Sequence, residues 1–279
     1  MKRITAGTFL IILTILCNLG WSQIEQPYPP LNLVSIPTAG TLPRGSFTLE
    51  SLLINNGGVV PRLSVGFTDN FSFGVSFGVQ NLIGDSKPTF NKTTPEVQIK
   101  YRVFDESLKM PALVYGLDTQ GRGLFHATDS IFTNGIFDST DSTVTLNRYE
   151  QKAWGIYMVM SKNWNFLGNL GLHAGISKSL SENDDGDKDI NVFFGFDKEL
   201  NRSFSLLVEY DAALNDNLAD GDHALNDITF GKGKGYLNAG IRWAMSPNLM
   251  LEINFNDINQ NTDAEYTNRE VKVMYSESF

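Results

Sequence analysis

From Phe71 to Val79 every odd-numbered residue is large and apolar, and every even-numbered one is glycine or serine. A strand sends successive side chains to opposite faces, so this spacing makes one dry face and one small polar face. From Glu96 to Val103 the pattern returns with formal charge: Val97, Ile99, Tyr101 and Val103 alternate with Glu96, Gln98, Lys100 and Arg102. Such segments recur along the chain. They run Ser46 to Ile54, Arg62 to Thr68, Phe71 to Val79, Glu96 to Phe104, Ala112 to Asp118, Ala153 to Ser161, Leu167 to Ser177, Ile190 to Asp197, Ser203 to Asp211, Tyr236 to Trp243, Leu249 to Asn256 and Arg269 to Phe279.

A soluble sandwich also alternates, so the connections are the discriminating feature. Asp69-Asn70, Asn163 to Phe166, Lys198 to Arg202 and Ser246-Pro247-Asn248 are short and rich in turn formers. Between them lie the longer Gln80 to Pro95, Thr119 to Gln151, Lys178 to Asp189, Ala212 to Gly235 and Asp257 to Asn268. Short turns on one side and long loops on the other belong to a membrane barrel. After the first twenty residues no apolar run approaches the roughly 18 positions of a membrane helix, and a closed barrel is the remaining way to satisfy backbone groups in lipid. The expectation is an all-β fold, a transmembrane antiparallel up-and-down β-barrel of about 12 strands over residues 46–279. Phe67, Phe71, Phe104, Trp164, Phe166, Phe196, Phe204, Trp243 and Phe279 fall near the short turns, where an interfacial aromatic girdle belongs. Only strand six is ambiguous in parity, because Tyr157 competes with Met158 for the lipid face.

The first 22 residues read as a secretory signal: Lys2 and Arg3 form the basic region, Phe9 to Leu16 the apolar one, and Gly20-Trp21-Ser22 the cleavage site. Cys17, the only cysteine, would leave with it, and Leu16 before it does not suit acylation. The mature chain would then have neither disulfide nor thiolate metal site. These features place the chain in the outer membrane of a double-membraned bacterium, with membrane lipid and the barrel-assembly machinery as partners. Tyr275 and Phe279 on the alternating last strand form the expected assembly signal. Both ends of the mature barrel should lie in the periplasm. A formal net charge of −9 excludes nucleic acid as a partner.

Residues 23–45 contain Gln26-Pro-Tyr-Pro-Pro30, which favours extended backbone, and are read as a periplasmic or luminal lead-in. A luminal plug and a substrate-binding arm are the alternatives. Ile36-Pro-Thr-Ala39 followed by Leu42-Pro-Arg-Gly-Ser-Phe-Thr-Leu49 resembles the opening of YjbH-like proteins, outer-membrane barrels associated with exopolysaccharide production. The resemblance covers roughly twenty residues. It implies a link to exopolysaccharide and no catalytic residues.

Parity turns Glu50, Arg62, Glu96, Lys100, Arg102, Lys152, Asp197, Glu209, Arg242 and Glu252 toward the lumen, with Asn191, Asn238 and Asn254 between them. They form either a polar pore for small hydrophilic solutes or a set of pairs filling a closed interior. Twelve strands fall between filled barrels of about 8 and open porins of about 16, and Phe193, Leu207 and Met250 also point inward. A non-conducting barrel acting through its acidic loops as an adhesion or assembly module is the alternative function. Asp184, Asp185 and Asp187 are weak candidates for a metal, but counting from Gly186 puts Val192 where a calcium loop needs glutamate, so a solvated acidic turn is favoured. Asp216, Asp220 and Asp222 form a second acidic loop. No cofactor is expected. Enzymatic activity is not expected either: of His126, His173 and His223 only His173 is on an inward strand position, beside no evident nucleophile, and neither a nucleophile elbow nor a zinc helix is anticipated.

Overall fold

The computed structural model describes residues 30–135, 138–217, 230–262 and 267–279, and within 128–145 the backbone alone. The signal segment, His223, Asp220 and Asp222 lie outside the described residues.

Twelve antiparallel strands form the wall: β1 (Ser46–Ile54), β2 (Gly58–Thr68), β3 (Phe71–Ser76), β4 (Glu96–Phe104), β5 (Ala112–Asp118), β6 (Gly155–Asn165), β7 (Asn169–Lys178), β8 (Asn191–Glu199), β9 (Phe204–Asp211), β10 (Tyr236–Ala244), β11 (Leu249–Asn256) and β12 (Asn268–Ser278). Each pairs with its sequence neighbour, and β1 pairs with both β2 and β12, from Ser46 opposite Ser278 to Leu53 opposite Val271. The sheet is therefore a closed barrel with no free edge. Connections 69–70, 105–111, 166–168, 200–203 and 245–248 lie at one end, together with Gly45, whose carbonyl accepts a hydrogen bond from the Phe279 N–H.

The alternation explains the wall. Leu49, Leu63, Tyr115, Ile156, Met160, Leu172, Phe194, Ile241 and Ile253 are exposed on the outside. Their cross-strand partners at the same height share that face, so the barrel is wrapped in an apolar surface that water solvates poorly and hydrocarbon solvates well. Phe67, Phe104, Trp164, Phe166 and Phe279 project outward at the short-turn end, and Phe204 stacks on Trp243 with ring centroids 5.7 Å apart. Among the described residues no helix is long and apolar enough to cross a membrane.

The structure corrects several boundaries. The third strand stops at Ser76, and Val79–Gln80 instead bridges to Thr89–Phe90 inside the following loop. The connection expected as Thr119 to Gln151 contains a two-stranded hairpin, Arg122–Gly135 with Asp138–Gln151, paired outside the barrel. Its strands were hidden because runs of Thr, Ser and Asp lack an apolar face, yet their backbones pair all the same. In β6 Tyr157 points inward at 3 % exposure and Ile156 and Met160 point outward, which settles the parity.

Candidate functional site

A 12-stranded wall with strands about 4.8 Å apart and tilted about 40° has a backbone radius of roughly 12 Å. Inward side chains about 6 Å long leave a central channel roughly 12 Å across, the width of two paired extended chains. The chain fills that space with its own N-terminal segment. Residues 30–45 form a tongue that turns at Leu33 to Ile36, where the Leu33 N–H donates to the Ile36 carbonyl at 3.0 Å and the Thr38 N–H to the Leu31 carbonyl at 3.1 Å. Residues 30–42 of this segment lie inside the barrel, and Pro43, Arg44 and Gly45 lead out at its short-turn rim. Residues 23–29 lie outside the described part.

Tongue backbone has no ladder beside it, so the wall must satisfy its polar groups. Cations meet carbonyls. Lys100 Nζ donates to the carbonyls of Leu31, Thr38 (3.2 Å) and Gly40 (3.5 Å). Arg242 donates to Asn32 O at 2.9 Å, Lys272 to Leu33 O and Val34 O at 3.4 and 3.3 Å, and Arg122 to Val34 O at 2.5 Å. The carboxylate meets amides: Glu209, 1 % exposed, accepts from Ser35 N at 2.8 and 2.9 Å, from Ile36 N at 3.1 Å and from the Ser35 hydroxyl. Apolar tongue residues are matched in the same way, with Leu33, Val34, Ile36 and Ala39 packed on Ala112, Val114, Tyr157, Val159, Phe193 and Leu207. Wall glycines make the room. A methyl at Gly66 would lie 2.0 Å from Pro43 O, and one at Gly195 would lie 2.7 Å from the Leu33 side chain.

The expected lining residues divide three ways. Glu50, Glu96, Lys100, Asp197, Glu209, Arg242 and Glu252 are buried inside, and Arg62 joins them by pairing with Asp118 at 3.2 Å. Arg242 Nε and Lys272 Nζ hold Glu252 at 2.5 and 3.0 Å. Arg102 instead sits at the short-turn rim, bound to Asp69 O at 2.9 Å and Asp105 at 2.8 Å, because the register shifts beside it as β4 ends. Lys152 precedes β6, which starts only at Gly155, and belongs to the loop end. Lys272, Asp118 and Glu270 were missed, although the alternation of Val271, Val273 and Tyr275 on the lipid face already placed Lys272 and Glu270 inward.

That loop end is a cap. Arg148, fully buried, holds Asp185 at 2.5 Å and Asp216 at 2.8 Å, while Lys152 holds Asp185 at 2.7 Å. Arg122 holds Glu270 at 2.7 Å, and Tyr149 donates to Glu96 at 3.0 Å. The solvated acidic turn favoured above holds only in part: Asp184, Lys188 and Asp189 are exposed, but Asp185 is 0 % exposed and its charge is met by two cations. Asp187 accepts from Asn217 N and Asp184 from Asn147, and among the described residues no acidic or histidine cluster fits a metal ion. Glu182 in this cap is 1 % exposed. Burial pushes its carboxyl up to about 7, against the stabilising Ala153 N–H at 2.6 Å.

His173 does have a serine beside it. Pairing of β6 with β7 sets Ser161 opposite His173, with Ser161 Oγ 2.7 Å from Nδ1 and Asp197 2.8 Å from Nε2. Ser161 on β6 and His173 on β7 are in direct register, a pairing that hairpin counting from the intervening turn would have shown. The arrangement is that of a relay, but Ser161 is 5 % exposed and accepts the Ala39 N–H at 2.8 Å. That contact puts its oxygen on the amide edge of the Thr38–Ala39 peptide, away from the carbonyl, so here the relay clasps the tongue. A second correction concerns Gly74-Val75-Ser76-Phe77-Gly78, which spells a nucleophile elbow. Its first residues run along β3 with no helix following, and Ser76 is bonded to Gln98 and Gln120.

Among the described residues the interior holds a cavity of about 50 Å³ near Ser35, Arg62 and Asn238, room for one or two waters, and a smaller one of about 10 Å³ beside Asn32 and Arg242. No family model matches the chain, and no curated protein matches it. Solved structures resemble it distantly. A KdgM porin shares 9 % identity over 84 % of this chain and 99 % of that one, at a TM-score of 0.45. The outer membrane protein Omp33 of Acinetobacter baumannii shares 8 % over 84 % and 97 %, at 0.39. The NalP translocator domain of Neisseria meningitidis shares 12 % over 84 % and 86 %, at 0.36. The barrel assignment rests on the strand pairing itself.

Proposed function

We propose that this chain is an outer-membrane channel for small hydrophilic solutes, closed by its own tongue in the state described. The observation that carries the reading is how the tongue is held. Lys100, Arg242, Lys272 and Glu209 grip main-chain groups, so withdrawal exchanges those contacts for water and leaves a passage lined with both signs of charge. A barrel that needs no passage is more simply filled by wall side chains. The exopolysaccharide link rests on the resemblance of Ile36 to Leu49 to YjbH-like proteins, and makes saccharides the first solutes to try.

A non-conducting barrel is the second reading, favoured by the apolar match between Leu33, Val34 and Ile36 and the wall residues Val159, Phe193 and Leu207. Uptake of labelled di- and trisaccharides into proteoliposomes separates the two. The channel reading expects slow uptake by the intact chain and fast uptake by a folded chain beginning at Leu42. Equal, background uptake by both would establish the second reading.

A further inference from the structure

We propose that the cleft at the loop end, between the 80–86 loop and the base of the 122–151 hairpin, is a binding site for neutral oligosaccharide. The cleft lies outside the lumen and has a volume of about 340 Å³, at the lower end of ordinary ligand pockets. The proposal does not depend on whether the barrel conducts.

Three properties of its lining choose the ligand. First, Asn55, Asn56, Asn81, Asp85 and Ser86 line it, and their side chains make no hydrogen bond to other described residues. Amides and a hydroxyl both donate and accept, as sugar hydroxyls do, and here that capacity is not consumed by the protein. Within the lining Gln80 donates to Gly123 O at 3.2 Å, and outside it Arg148 and Lys152 are spent on Asp185 and Asp216.

Second, the lining holds no lysine or arginine but two carboxylates, Asp85 and Glu150. A phosphate or uronate would meet repulsion with no compensating cation, whereas a hydroxyl donates well to a carboxylate. Third, Ile83 and Leu124, 58 % and 43 % exposed, form an apolar wall. A pyranose presents hydroxyls at its rim and C–H groups on its face, and the cleft offers partners for both.

The turns that carry these groups are fixed before any ligand arrives. Ile83 N donates to Gly57 O at 3.0 Å. A methyl at Gly57 would lie 1.8 Å from Ile83 O, so the two loops touch through backbone and only glycine fits. Asn56 and Asn81 take left-handed φ of 54° and 55° on either side of that contact, a conformation asparagine tolerates. Pre-set polar groups lower the entropic cost of binding a flexible ligand.

The test uses the whole barrel in an amine-oxide detergent, free of sugar headgroups. Cellotriose, maltotriose, laminaritriose and chitotriose are titrated by saturation-transfer NMR, with trigalacturonate as the anionic probe. At least one neutral trisaccharide should bind, trigalacturonate should bind more weakly, and the Asn55→Ala/Ser86→Ala double variant should lose about tenfold in affinity. Because neither side chain has a hydrogen-bond partner among the described residues, the thermal midpoint of that variant should stay unchanged. Absence of binding by every neutral probe, preference for trigalacturonate, or unchanged affinity in a folded double variant would each overturn the site. None of these outcomes bears on conductance, so the channel reading stands or falls separately.

Discussion

Replacing Glu209 by alanine isolates the hold on the tongue. Its carboxylate accepts both Ser35 N and Ile36 N as well as Asn238 Nδ2 at 2.8 Å. The variant strands two amides, that of Ile36 buried and that of Ser35 part-buried, each costing up to about 1–3 kcal/mol. Water from the small cavity beside Ser35 and Asn238 recovers part of this, leaving roughly 3 kcal/mol. That weakens docking about a hundredfold. Amide hydrogen exchange reads the effect without a label. The decisive amide is Ala39, because its own acceptor, Ser161, is untouched by the substitution. If the tongue releases as a unit, Ala39 should exchange about a hundredfold faster while Leu206 in β9 keeps its rate. Glu209→Gln, which preserves one acceptor, should fall between. Faster exchange at Ser35 and Ile36 alone, with Ala39 unchanged, would refute a cooperative tongue.

Three further substitutions probe the same framework. Gly66→Ala pushes a methyl against Pro43 O and should loosen the tongue without unfolding the wall, seen as faster Ala39 exchange at an unchanged strand spectrum. Arg148→Met leaves Asp216 buried beside no other cation pair described here and Asp185 with Lys152 alone; the cap should lose about 3 kcal/mol, with loop 179–190 cut faster by protease in intact barrels. Glu182 binds protons more tightly folded than unfolded, so between about 4.5 and about 7 its contribution to cap stability falls as pH rises, then levels off. Glu182→Gln keeps an acceptor for Ala153 N and should flatten that slope, which the pH dependence of cap exchange rates would show.

The wall was legible because period-2 alternation is local: each inward charge, such as Glu252 or Lys100, declares its face through its neighbours. Strand ends were less so. Arg102 and Lys152 carried the right parity, but Arg102 lies at the register shift in the last turnward residues of β4 and Lys152 lies before β6 begins, which depends on pairing rather than on pattern. The tongue was illegible for a different reason. Leu33, Val34 and Ile36 follow neither period, since their partners are wall positions 76 to 174 residues away, among them Ala112 and Leu207. Its one local signal was the apolar content of Leu33, Val34 and Ile36, in a segment for which periplasmic and luminal placements were both left open. The cap ion pairs were hidden likewise, because an acidic loop reads as solvated until the cation that buries it, Arg148, is known to lie above.

Single-channel recording in planar bilayers tests the central claim most directly. The intact barrel should stay silent or flicker rarely, whereas a folded chain beginning at Leu42 should give steady ohmic openings, with the Glu209→Ala variant opening intermittently. Steady conductance by the intact chain, or silence from the tongue-less barrel, would contradict a passage closed by residues 30–45.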